Sequence, residues 1–91
     1  MKKTFDTLTV YSSTWCPDCR QAKKFLDENG VDYELVEIDK VEGAAELLEK
    51  KTGKRGIPYF VLDGERWERA YTPGKGFDRE GMRTLLGLGS D

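Results

Sequence analysis

The stretch that decides the reading is Thr14-Trp15-Cys16-Pro17-Asp18-Cys19-Arg20, which holds the only two cysteines of the chain. Upstream, Leu8-Thr9-Val10-Tyr11 is a short β-prone run that gives way to the polar Ser12-Ser13-Thr14. From Pro17 the apolar spacing turns helical: Cys19, Ala22 and Leu26, with Phe25 beside them, form one stripe. Proline suits a first helical position, because the N–H it lacks has no intrahelical partner there. Asn29-Gly30 supplies a left-handed stop for that helix. A C-x-x-C pair set where a strand hands over to a helix reads as a thiol redox motif.

That placement sets the chemistry. The thiolate is the nucleophile, and the start of a helix, with its unpaired N–H groups and positive dipole end, favours negative charge on the Cys16 sulfur. Cys19 lies one turn further in, less exposed, and within reach of a disulfide formed on Cys16. The expectation is therefore that Cys16 attacks and Cys19 resolves. The Asp18 carboxylate works against the dipole, disfavouring a second negative charge beside it, so Asp18 is the residue expected to tune the thiolate. A structural role is weaker, since a Cys16–Cys19 bridge closes almost no loop. A zinc or iron–sulfur module using the same cysteines is the alternative. Structural zinc usually takes four Cys or His ligands, and this chain has two cysteines and no histidine. Such a site would need carboxylates such as Asp18, or a second subunit.

Working outward, Tyr33, Leu35, Val36 and Ile38 read as a second strand ending at Asp39, and residues 42–52 as a second helix. That helix should turn Ala45, Leu48 and Leu47 inward and stop at Gly53. Tyr59-Phe60-Val61-Leu62 is a continuous apolar run, as in a strand buried on both faces. Asp63-Gly64 signals a hairpin, with residues 66–71 returning. After a Pro73-Gly74-Lys75-Gly76 loop, Asp78 is a good N-cap for a last helix carrying Met82, Leu85 and Leu86. The order β-α-β-α-β-β-α, with a right-handed parallel crossover and a closing hairpin, gives a mixed four-stranded sheet flanked by helices. This is an α/β architecture of thioredoxin type.

The 91 residues suggest a single domain spanning 1–91. Fifteen basic against seventeen acidic residues leave a net charge of −2, which is not the footprint of a nucleic-acid binder. No apolar run approaches a membrane span, and Leu8–Tyr11 behind the basic start is too short for a signal-peptide core. A cytoplasmic monomer is expected. Gly56-Ile57-Pro58 opens the third strand, and on pattern alone Pro58 marks no more than a strand boundary.

Three segments, residues 15–23, residues 30–33 and residues 52–58, together resemble the glutaredoxin family, in order and with the family's spacing over nearly the whole chain. The resemblance implies a thiol–disulfide oxidoreductase that reduces protein or glutathione mixed disulfides and holds no cofactor. It also implies that Pro58 is cis and faces the cysteines, and that Ile57 pairs its backbone with the bound thiol substrate. Arg55 matches a basic position that can meet a glutathione carboxylate. Its other reading is a solvated cation at the end of a helix. Gly76 and Asp78 match a Gly-Gly-x-Asp segment of glutathione-reduced members, whereas Ser13, Asp18 and Lys75 stand where those carry a lysine, an aromatic residue and a first glycine. The Gly76-Phe77 step, and Trp15 before the first cysteine, resemble members that take electrons from thioredoxin reductase. For Trp15 the alternative is simple packing beside the motif. The expected partners are disulfide-containing proteins and either glutathione or thioredoxin reductase. Pro17 argues against a cluster-bound dimer, because cluster-holding relatives usually carry a smaller residue there.

Overall fold

Strand β1 (Leu8–Ser12) is the hinge of the architecture, because everything that builds the site leaves from one of its ends. The computed structural model describes residues 5–88; the first four residues, most of the basic start, and residues 89–91 lie outside them. Helix α1 (Pro17–Glu28) follows, with Cys16 as its N-cap and Pro17 in its first turn. Its buried side chains are Cys19, Ala22, Phe25 and Leu26, the stripe read from the sequence. At its far end Val31 N–H donates to the Leu26 carbonyl at 2.9 Å, and Gly30 takes φ +65°. A glycine closes a helix this way without Cβ strain.

β2 (Glu34–Glu37) pairs parallel to β1, with Val10 opposite Leu35. Helix α2 (Ala44–Thr52) comes next and ends on Gly53 at φ +86°. β3 (Tyr59–Leu62) runs antiparallel to β1, and β4 (Arg66–Arg69) antiparallel to β3. The sheet order is β2-β1-β3-β4. Between β3 and β4, Asp63 and Gly64 both take positive φ, as the expected tight hairpin turn requires.

The returning strand differs from expectation. It stops at Arg69, and the chain then forms a second hairpin, β5 (Tyr71–Thr72) with β6 (Gly76–Phe77), before helix α3 (Arg79–Leu85). The Pro73–Gly76 segment read as a loop therefore holds the hairpin's turn and the start of β6. Asp78 caps α3, accepting from Gly81 N–H at 3.1 Å.

Alternation along the strands splits the interior into two layers. Leu8, Val10, Phe60 and Leu62 face α1 and α3, meeting Phe25, Leu26, Met82 and Leu86. Tyr11 and Val61 face the other way, against Ala44 and Leu48 of α2. This is why Tyr59–Leu62 reads as unbroken apolar sequence. One inward assignment is corrected: Leu47 is 40% exposed, and Ala44, not Ala45, is the buried alanine. The helix begins two residues later than the sequence suggests, at Ala44, and Ala44 and Leu48 then share its buried face at spacing four.

Candidate functional site

Ser12 ends β1 and Cys16 opens α1, so three residues turn the chain through the site. The Cys16 sulfur accepts the Cys19 N–H at 3.1 Å, taking the place an N-cap oxygen usually fills. Cys16 keeps 5% of its surface exposed, and Cys19 keeps none. Both are free thiols. Burial pushes the Cys19 thiol well above the ordinary thiol range. The Cys16 sulfur, hydrogen-bonded to Cys19, adds to the effect, while the Ser13 N–H and the Lys23 cation pull the other way. A single helical turn thus holds an N-terminal sulfur bonded to a backbone donor and, behind it, a thiol that holds its proton firmly.

The turn has an anchor. Asp39, just past β2, accepts the Thr14 N–H at 3.3 and 3.4 Å and also the Thr14 hydroxyl. These contacts hold the Asp39 carboxyl below the usual carboxylate range, the hydroxyl contributing most. Asp39 is brought there by the parallel pairing, since Ile38 N–H donates to Ser12 O at 2.8 Å. Ser12 and Ser13 are buried beside it, and among the described residues their hydroxyls have no hydrogen-bond partner.

The Ile57–Pro58 peptide bond is cis. Tyr11 pairs with Tyr59, so one further step of the same register sets Pro58 beside Ser12, at the foot of the cysteine turn. Pro58 is buried, and its carbonyl accepts Ala70 N–H at 3.2 Å. Ile57 is half-buried, and neither its N–H nor its carbonyl bonds to any described residue. That leaves one unpaired backbone edge next to the turn.

The remaining candidates separate. Trp15 is 64% exposed, with most of its ring facing solvent. Arg55 sits past the end of α2, paired with Glu49 at 2.9 Å. Phe77 turns into the core, its ring 5.4 Å from Phe25 and 6.4 Å from Phe60. Asp78 is spent on the α3 cap. Gly76, at φ +92°, lies under Asp18: a Cβ there would stand 3.0 Å from an Asp18 carboxylate oxygen. The Asp18 carboxylate therefore rests on the second hairpin. Thr14, Asp39 and Lys23 were not found from the sequence. Asp39 and Thr14 are 25 residues apart, and only the parallel strand pairing joins them. Among the described residues no three His, Cys, Asp or Glu side chains gather as a metal site would need.

A parallel β-α-β start, an antiparallel β3 entered through a cis proline, and a dithiol capping the first helix define a thioredoxin-fold protein. Residues 8–67 match the family model described as Glutaredoxin, and the chain belongs to the glutaredoxin family. A glutaredoxin of Ricinus communis is 35% identical over 63 residues, covering 66% of this chain and 62% of that protein, a little under two thirds of its length. The glutaredoxin-like protein NrdH of Escherichia coli is 30% identical over 60 residues, 66% of this chain and 73% of that one. The solved structure of that NrdH-redoxin, titled for its thioredoxin-like activity profile, superposes with TM-score 0.70 at 26% identity, covering 88% of this chain and 95% of its own. A buckwheat glutaredoxin–glutathione complex superposes with TM-score 0.63 at 26% identity, covering 85% of this chain and 66% of its own.

Proposed function

We propose that the chain is a dithiol oxidoreductase that reduces disulfides, with Cys16 attacking and Cys19 resolving. The observation that carries this is the Cys16 sulfur at the start of α1, bonded to the Cys19 N–H, with the Cys19 thiol buried behind it. The Cys16 thiolate attacks a substrate disulfide, forms a mixed disulfide and expels the other substrate sulfur as a thiolate, which takes a proton from solvent. Cys19 then attacks the Cys16 sulfur, releasing the second thiol and leaving a Cys16–Cys19 disulfide. Two electrons pass to substrate, and the Cys19 proton leaves with the departing sulfur. The order is built into the charges. While Cys16 is anionic, its sulfur helps keep Cys19 protonated, and that restraint ends once Cys16 is in a mixed disulfide. Ser13 N–H and Lys23 then favour the Cys19 thiolate. The free edge of Ile57 pairs with the substrate backbone as an added strand would.

For the electron donor we favour a protein reductase of thioredoxin-reductase type over glutathione. Arg55 already has a carboxylate partner, the anionic Asp18 flanks the N-terminus of α1, and Trp15 offers an exposed ring for a protein surface. The NrdH relative with a thioredoxin-like activity profile supports the same choice. The test is a paired assay, glutathione with its reductase against thioredoxin reductase with NADPH. Turnover with thioredoxin reductase is expected to exceed that with glutathione, and the reverse result overturns this donor. Asp18→Tyr, which removes the repelling carboxylate, should shift the ratio toward glutathione.

A further inference from the structure

Among the described residues the Ile57 N–H and carbonyl have no partner, and its two neighbours both touch one short segment. Pro58 gives its carbonyl to Ala70 N–H at 3.2 Å. Gly56 is held by Tyr71, the next residue along. A Cβ at Gly56 would lie 1.9 Å from the Tyr71 hydroxyl oxygen and 2.7 Å from Cζ. Gly56 has no positive φ, so glycine is required there for space, not for backbone conformation.

Tyr71 is itself supported from two sides. The Arg69 guanidinium lies over its ring at 5.6 Å, and its partner across the hairpin, the half-buried Phe77, packs on Phe25 and Phe60. Asp78 N–H donates to Ala70 O at 3.0 Å, tying the same point to the cap of α3. The hairpin also reaches the cysteine helix through Gly76 under Asp18. One two-stranded ribbon therefore touches both walls of the site.

We propose that Tyr71 is a positioning residue whose hydroxyl, pressed on Gly56, sets the place of the Ile57 edge relative to Cys16 and so determines how tightly a disulfide substrate is held. The inference rests on the dithiol reading above and deepens it. A displaced edge weakens ground-state and transition-state binding alike, so KM rises while kcat stays.

The test uses the full chain, dithiothreitol as reductant and a synthetic peptide with one internal disulfide as substrate, so the identity of the physiological donor does not enter. Gly56→Ala should raise KM about tenfold, within the range by which touching residues couple. Its kcat should stay within about twofold, as expected when only uniform binding is lost. Tyr71→Ala should raise KM less. The double variant Gly56→Ala/Tyr71→Ala should return to the KM of Tyr71→Ala, because the methyl then has room. Gly56→Ala/Tyr71→Phe should recover only in part, since the 1.9 Å hydroxyl contact is gone while Cζ still stands 2.7 Å from the methyl position. Iodoacetamide labelling of Cys16 should be equally fast in all variants, which a general loosening of the fold would not allow. Additive effects in the double variant, no gain at all with phenylalanine, or a silent Gly56→Ala would overturn the proposal while leaving the dithiol reading intact. A wild-type chain that fails to reduce the peptide would remove both.

Discussion

The two ends of β1 use the same device to different purposes. At the end away from the cysteines, Asp63 accepts Asp6 N–H at 2.7 Å and Thr7 N–H at 2.9 Å, fastening the start of the strand to the β3–β4 turn. At the other end Asp39 accepts the N–H and hydroxyl of Thr14, fastening the turn that delivers Cys16. Both carboxyls are held below their usual range by the bonds they accept. The far clamp closes a sheet, whereas the near clamp lies two residues from Cys16, the proposed nucleophile. A carboxylate accepting backbone donors is thus an ordinary fastening, and the two clamps differ only in what lies beside them.

The sharpest way to break the comparison is to remove the chemistry from one end. Cys16→Ser should abolish disulfide reduction, a loss of several orders of magnitude, with the melting temperature nearly unchanged. A variant that keeps turnover would detach the near end from function. Next, Cys19→Ser should accumulate a mixed disulfide between Cys16 and substrate, visible as a mass increase lost on reduction. Absence of that adduct would remove Cys19 from the resolving role.

Smaller, and more telling for the clamps, is the same substitution at both ends. Asp39→Asn should slow reduction several-fold, with Thr14→Val slowing it less and Thr14→Ser close to wild type. Asp63→Asn should lower the thermal midpoint and leave the rate per folded molecule intact. Equal effects on rate at both ends would erase the distinction. The smallest effect is on acid stability. A carboxyl whose folded pKa is depressed stabilises the fold above its unfolded value, near 3.8, and that contribution is lost as pH falls through the lower folded value. Acid unfolding of Asp39→Asn and Asp63→Asn should accordingly be less steep below pH ~4 than in the parent.

Much of this was legible in the sequence because the signals were local. Cys16, Pro17 and the Cys19–Leu26 stripe lie within three turns of one helix, and Asp63-Gly64 carries its hairpin in two residues. Pro58 was legible as cis only through the family resemblance, for its own pattern marks a strand boundary. The second hairpin was missed since its two-residue strands are too short to show alternation. Leu47 was misplaced because a one-residue shift of helical phase moves a side chain across the surface. The Asp39 clamp and the Tyr71 contact join residues 25 and 15 positions apart, and only the assembled sheet brings them together.

The central claim is the division of labour between the two thiols, and brief alkylation tests it most directly. Fully reduced protein is pulsed with iodoacetamide at neutral pH, quenched, and mapped by peptide mass. The account predicts that Cys16 is labelled first and Cys19 only after unfolding. Labelling of Cys19 ahead of Cys16 would contradict it.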